Sequence, residues 1–361
     1  MFGYSTGTCQ VCLSTTSVVP AVLKICASCI TKRFSTLQTE INAIHAATRA
    51  VFDLPALPPE EVDGVTCNHC ANHCSIVENE RGFCGLRKVR NGRLVNLAGT
   101  PGHGLLRCYH DPLPTNCVAD WICEGHKHPT CHNLAVFYES CTMNCLFCQN
   151  WHFRRVSPGD HADMSAEELA AEATPSTFCV CFFGGDPSSQ MPHALAASRL
   201  LAEKQVCICW ETNGMMNPKY LEKAIDYSIQ TRGCMKFDLK AYDNDLHRAL
   251  TGISNEPVMK NFKRAAERSF ERSAPPLVIA STLLVPGYVD TEQVHRIAQY
   301  IASLNPEIPY SLLGFSPQFY MTDLPFTSVR HAKEAKAAAL DAGLLNVRIA
   351  NRHLLGRDYA P

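Results

Sequence analysis

Three cysteines, Cys141, Cys145 and Cys148 in ESCTMNCLFCQNW, constrain this 361-residue chain more than any other feature. They are spaced Cys-x3-Cys-x2-Cys and directly follow an apolar, β-branched and aromatic run from Leu134 to Tyr138. A loop at the end of a strand can aim three thiolates at one point. Three thiolates suit a [4Fe–4S] cluster with one iron left open, because four would close it. An open iron can bind and reduce a ligand, whereas a closed cluster only passes electrons. The competing reading is a zinc knuckle short of one ligand, but zinc favours closed, four-coordinate sites.

The chain holds 20 cysteines, and its N-terminus, MFGYSTGTCQVC, lacks the charged and apolar regions of a signal peptide. That combination points to metal ligation in a reducing compartment and away from a disulfide framework, so a cytoplasmic protein is expected. A net charge of −1 with mixed signs favours neither a nucleic-acid nor a membrane partner. No apolar run approaches the ~20 residues of a membrane-spanning helix.

Fifteen of the cysteines precede residue 150, clustered among loop-like segments. Cys9-x2-Cys12 and Cys26-x2-Cys29 form a zinc-ribbon pattern over residues 1–31, with a rubredoxin-like iron or a cluster as the competing occupant. A module this small depends on its metal to fold. Residues 32–64 read as a helix, with Phe34, Leu37, Ile41, Ile44 and Val51 on one stripe, followed by a linker containing Pro55, Pro58 and Pro59. Residues 65–133 form a cysteine-rich segment opening with Cys67-x2-Cys70-x3-Cys74-x9-Cys84. Those four thiolates predict a closed site, either a structural zinc or an auxiliary [4Fe–4S] cluster, with His69 and His73 as further candidate ligands. Cys108, Cys117, Cys123 and Cys131 form another candidate metal set, interleaved with histidines at irregular spacing. The remaining five, Cys179, Cys181, Cys207, Cys209 and Cys234, sit in apolar runs. Cys179/Cys181 and Cys207/Cys209 have the two-residue period of a strand. They read as small buried hydrophobes, the alternative being an extra cluster inside a barrel that lacks further ligands.

Residues 134–361 alternate strand-like and helical runs. The strands are Leu134–Tyr138, Phe178–Phe183, Val206–Glu211, Cys234–Lys240, Leu277–Val285, Tyr310–Phe315 and Val347–Ala350. Helix starts are marked by Ser165 with Glu168, by Asn217-Pro218 and by Thr291 with Gln293. Apolar strands between amphipathic helices mean parallel βαβ units, an α/β fold of TIM-like type with functional residues at the carboxyl ends of the strands.

The cysteine loop resembles the radical-SAM superfamily, whose signature has this spacing with an aromatic before the last cysteine, here Phe147. The continuation Cys148-Gln149-Asn150-Trp151 is similar to glycyl-radical-enzyme activating proteins and their AmmeMemoRadiSam relatives, and the segment from Cys67 to Arg87 resembles the N-terminal cysteine segment of AmmeMemoRadiSam-type proteins. The resemblance implies an open (β/α)6 barrel, a [4Fe–4S] cluster and S-adenosylmethionine. Gly184-Gly185-Asp186 looks like the family's GGE segment at the cofactor's amino group, with Asp for Glu shortening the reach. Asn213 lies in a segment similar to the TNG motif near the ribose. Asp238 and Lys240 match a DxK pair associated with the cofactor's methionine end. Leu284 to Gly287 resembles an LLIPG turn, while Ser316 stands where relatives often carry histidine. The set from Cys108 to Cys131 departs from the family pattern, and the resemblance leaves out the first sixty residues.

These likenesses imply an enzyme that abstracts a hydrogen atom from a protein or peptide substrate and is fed electrons by a donor such as ferredoxin or flavodoxin. Activation of a glycyl radical enzyme is one such reaction. A peptide- or small-molecule-modifying oxidase with auxiliary clusters is a second reading, and a non-catalytic zinc or iron–sulfur scaffold is a third. No acid or base residue stands out as catalytic.

Overall fold

The computed structural model describes residues 7–15, 18–115, 117–159 and 163–359. The first six residues, part of the stretch read above for a leader, lie outside them. Helix α1 spans Ala27–Ala50. The cysteine-rich segment follows as two small antiparallel hairpins, β1 (Val65–Thr66) with β2 (Ser75–Ile76), and β3 (Arg87–Arg90) with β4 (Arg93–Asn96). The main sheet then begins with β5 (Gly104–Pro112), β6 (His132–Tyr138) and β7 (Asp163–Met164). Helix α2 (Ala166–Ala171) leads to β8 (Thr177–Gly184), α3 (Met191–Glu203) to β9 (Cys207–Thr212), and α4 (Pro218–Thr231) to β10 (Met235–Asp238). Helices α5 (Asn244–Thr251) and α6 (Glu256–Glu267) precede β11 (Val278–Leu284). Helix α7 (Thr291–Leu304) precedes β12 (Tyr310–Gly314), and α8 (Val329–Asp341) precedes β13 (Val347–Ala350).

The nine-stranded sheet has the order β13-β12-β11-β10-β9-β8-β6-β5-β7. From β6 to β13 every pairing is parallel, and β5 and β7 add an antiparallel edge. Sequential strands joined by helices give six βα crossovers, as the alternation predicts. The sheet curves, because residues of β5 and β6 at one side and of β13 at the other line one shared cavity. One face of the strands is packed by the helices. Val180, Phe182, Ile208, Trp210, Met235 and Phe237 are buried in the main hydrophobic core.

The expected helix starts are present, with one shift. Ser165 and Glu168 form a reciprocal capping box, and Asn217 accepts from the Lys219 N–H. The cap of α7 is Asp290, which accepts from Gln293, so the start lies one residue before Thr291. In α1 the buried stripe is Ile30, Phe34, Leu37, Ile41, His45 and Thr48. Val51 is 70% exposed beyond the helix end, and His45 takes the inward place next to half-buried Ile44. It does so because its ring has buried polar partners, the Ala249 carbonyl at 3.0 Å and Asn144 at 2.9 Å. The helix therefore docks on α5 and on the loop holding the three cysteines. Among the described residues no helix is long and apolar enough to cross a membrane.

Candidate active site

Cys141, Cys145 and Cys148 follow β6 at its carboxyl end and together line a cavity of about 200 Å³. The ends of β8, β9 and β10 contribute the opposite wall through Gly184, Gly185, Asp186, Asn213, Asp238 and Lys240. Phe147 lines the same cavity, with the Lys240 ammonium 5.8 Å from its ring centre. All ten sequence-selected residues of the cluster and cofactor sites thus meet in one place.

The loop after β8 passes so near the cysteine loop that only glycine fits. A Cβ on Gly185 would lie 2.0 Å from the Ser140 carbonyl oxygen, and Gly184 has φ +105°. Asp186 is buried and its carboxylate is already taken up. It accepts from the Asn213 N–H at 2.6 Å, from the Ser188 N–H at 2.7 Å and from the Thr212 hydroxyl. Burial pushes its carboxyl up from the usual range, and these hydrogen bonds oppose that shift. Its side chain ties the end of β8 to the end of β9 while Asp186 still lines the cavity. Asn213 is thereby aimed at the cysteine loop, donating to Thr142 at 3.0 Å and to the Cys141 sulfur at 3.5 Å.

Asp238 behaves differently. One oxygen accepts from Lys240 at 2.5 Å, while the other is buried with no partner in the protein. Burial opposes the charge on Lys240, but Asp238 together with the Cys145 and Cys141 sulfurs outweighs it and keeps the ammonium protonated. Arg154, also at this cavity, is buried with its Nε and one terminal nitrogen unpartnered. Buried polar atoms without partners are uncommon and need an explanation. A zwitterionic ligand would give the Asp238 oxygen an ammonium and the Arg154 nitrogens a carboxylate. Arg154 was missed in the sequence, where its signal was two adjacent arginines in WHFRR just after the third cysteine.

The cysteine loop is braced from below by the N-terminal segments. Asn144 donates to Thr48 at 2.9 Å, and Asn72 donates to the Thr142 carbonyl at 2.9 Å. The Ser140 hydroxyl donates to the Cys84 carbonyl at 2.9 Å. Cys67, Cys70, Cys74 and Cys84 are drawn together beside this loop, each thiol within electrostatic reach of the others. His69 stacks on Tyr220 with its Nδ1 buried and without a hydrogen-bond partner, while His73 bonds Asn68.

The sulfurs of Cys9, Cys12, Cys26 and Cys29 all lie within 4.8 Å of one another, a set that could hold a metal ion. This module rests on the turn after β11. Tyr288 donates to the Ile25 carbonyl at 2.7 Å, and a Cβ on Gly287 would meet the Val18 carbonyl at 2.3 Å. The LLIPG-like turn is therefore a docking surface for the ribbon. Cys108 does not join Cys117, Cys123 and Cys131. It packs on the main core from β5, while the other three pack on the barrel cysteines. His110 and His132 face each other with ring centres 4.2 Å apart, and His128 stacks on Phe178.

A second cavity of about 360 Å³ lies further into the barrel and shares Gln149, Asn150, Phe183, Glu211 and Leu313 with the first. Its walls are polar, with Asp111, Asp120, Glu211, Arg348 and His353 among them. This places room for a second molecule directly beside the cysteine loop.

Residues 135–301 match the model of the Radical SAM superfamily. An uncharacterised protein of Methanocaldococcus jannaschii is 26% identical over 80% of this chain and 81% of its own. The isethionate sulfite-lyase activating enzyme of Oleidesulfovibrio alaskensis is 32% identical, over 36% of this chain and 41% of that enzyme. The pyruvate formate-lyase-activating enzyme of Staphylococcus aureus is 29% identical, over 50% of this chain and 74% of its own. The stretch matched by the Radical SAM model holds the cysteine loop and the parallel strands from β6 to β11, whose carboxyl ends enclose the cavity.

Proposed function

We propose that the chain is a radical SAM enzyme that takes a hydrogen atom from a protein or peptide substrate. One observation carries this reading. Three cysteines, an unpartnered Asp238 oxygen and unpartnered Arg154 nitrogens share one cavity of about 200 Å³. That donor set fits an open [4Fe–4S] cluster and an amino-acid-bearing cofactor. Cys141, Cys145 and Cys148 would hold the cluster. Asp238, Arg154, Lys240 and the backbone at Gly184 and Gly185 would hold S-adenosylmethionine, with Asn213 and Phe147 shaping its place. When bound, the pair supplies one-electron cleavage of the sulfonium and with it a carbon radical able to abstract hydrogen. The chain's own contribution is position and shielding. Asp186 fixes Asn213, the glycines admit close approach, and Asn144 holds the loop against α1.

The names of two relatives favour a glycyl radical enzyme as the substrate. A second reading, a peptide- or small-molecule-modifying oxidase, is favoured by the Cys67–Cys84 set packed against the cysteine loop, where an auxiliary cluster would lie beside the open one. A zinc in the N-terminal ribbon, a ferredoxin or flavodoxin as electron donor and a cytoplasmic location complete the proposal. The test is anaerobic reconstitution followed by reduction in the presence of S-adenosylmethionine. Wild type is expected to form 5′-deoxyadenosine and methionine, and Cys145→Ala to form neither. Cleavage surviving in Cys145→Ala would overturn the assignment. Deuterium carried from a labelled substrate glycine into 5′-deoxyadenosine would select activation over the oxidase.

A further inference from the structure

Arg49, in the last turn of α1, is a cation inside the fold, with 1% of its surface exposed. Among the described residues no carboxylate pairs with it, and the arginines that have such partners are others. It donates instead to the Pro55 and Phe83 carbonyls, and its guanidinium lies 3.5 Å from the centre of the Phe83 ring. Burial, and then Arg154, pulls its pKa down to about 9, which leaves it charged at neutral pH. A buried charge is costly without an opposite one nearby. Carbonyl dipoles and a ring face offset part of that penalty but supply no negative charge.

The surroundings narrow the choice of counter-ion. Arg49 lines a small cavity of about 40 Å³ together with Cys84 of the Cys67–Cys84 set and Cys141 of the cysteine loop. Arg154 lines it too, so two guanidiniums share one seam and repel each other. The carboxylate in its wall, Glu139, is committed to Arg107 at 2.7 Å. A space of this size admits about one water, so an outside anion does not fit. The cysteine sulfurs remain. The Phe83 N–H donates to the Cys74 sulfur at 3.4 Å, so the residue that holds Arg49 also holds a sulfur of the Cys67–Cys84 set. Negative charge on Cys141, Cys84 and Cys74 favours the Arg49 cation. Free thiols are neutral, whereas a thiol that ligates a metal is deprotonated outright. Arg49 therefore has its counter-ions once the cysteines hold metal.

We propose that Arg49 is the counter-charge at the seam between the two cysteine sets and that it raises the midpoint potential of the cluster held by Cys141, Cys145 and Cys148. This rests on the reading of the cysteine loop as a cluster site. Arg49 lies outside the larger cavity that would hold the cofactor, so it is a positioning residue that acts through the ligand sulfurs. A fixed cation beside them, in a place where little water screens it, stabilises the added electron of the reduced cluster. The experiment uses the full chain, reconstituted anaerobically, with iron and sulfide counted per chain. The cysteine-loop cluster is identified as the EPR signal that Cys145→Ala lacks, and its midpoint potential is read by redox titration of that signal. Arg49→Gln can still donate to the Phe83 carbonyl but carries no charge. It is expected to keep wild-type iron while the potential falls by about 59 mV, a tenfold change for a one-electron couple. Arg49→Lys, which restores the charge, is expected to return most of that shift. An unmoved or raised potential in Arg49→Gln, or an equal fall in Arg49→Lys, overturns the proposal and leaves the cluster reading intact. A wild type without a signal that Cys145→Ala removes overturns both. Should Arg49→Gln fail to fold, Leu54→Glu sets a carboxylate on the half-exposed rim of the same cavity with Arg49 unchanged. The potential is expected to fall there too, and one that does not fall overturns the proposal.

Discussion

Asp186 and Asp238 are carboxylates at neighbouring strand ends in one cavity, yet their surroundings give them opposite tasks. Asp186 has its acceptors filled by Asn213, Ser188 and Thr212, so it positions. Asp238 keeps one buried oxygen without a protein partner, which suits it to the cofactor-binding role proposed above. Asp238→Asn is expected to weaken S-adenosylmethionine binding roughly 10- to 100-fold, the scale of one charge-assisted hydrogen bond, with iron content unchanged by elemental analysis. Gly185→Ala should act differently, because its new carbon collides with the Ser140 backbone. Iron incorporation should then fall along with binding, measured on the same preparation. Both motifs were legible as strings of residues. Which aspartate would be consumed by neighbouring strands was not, because that depends on how β8 lies against β9. Arg154 was illegible for a similar reason: only the folded loop brings it back over the cavity.

At the scale of elements, α1 is the brace of the cysteine loop. Its stripe was visible in the spacing of Phe34, Leu37 and Ile41, but its partner was not, since nothing local in the helix names Asn144. Substituting Asn144 by alanine strips Thr48 and His45 of a buried partner. The expected loss is about 1–3 kcal/mol of stability in denaturant titration, with a faster loss of cluster iron to chelator. The ribbon, by contrast, touches the barrel through Tyr288, Asp323 and the Gly287 turn, away from the cysteine-loop cavity. Replacing Cys9 and Cys12 by serine should lower the melting temperature by several degrees while leaving S-adenosylmethionine cleavage intact. A loss of cleavage with full iron would show that the ribbon shapes the active site. The barrel cysteines read as apolar from strand period alone, and they are apolar in burial. Cys117, Cys123 and Cys131, which pack against them, come from a distant segment that no strand periodicity reports.

For the molecule as a whole, three buried histidines set an acid limit. Burial holds His45, His193 and His247 down to about 4, each against an ordinary value of 6.5. Unfolding frees each ring to take a proton, so below pH 6.5 the unfolded chain binds more protons than the folded one. Stability is therefore flat above about pH 6.5 and declines as pH falls toward 4, by on the order of 2–3 kcal/mol per histidine. Urea midpoints measured from pH 7.5 to 4.5 should trace that decline. Replacing His247 by glutamine, which can still donate or accept near Ile253, should flatten part of it.

The sheet's failure to close also settles how matter moves through the protein. The cysteine loop lies at one end of the barrel and residues 117–124 at the other, while Tyr109 and Asp111 on β5 and Arg348 and Ala350 on β13 line the inner cavity together. Between those strands there is no ladder of backbone hydrogen bonds, so the cavity is bounded there by side chains. A wall of side chains can part without any strand pair being broken, which a closed barrel's ladder does not allow.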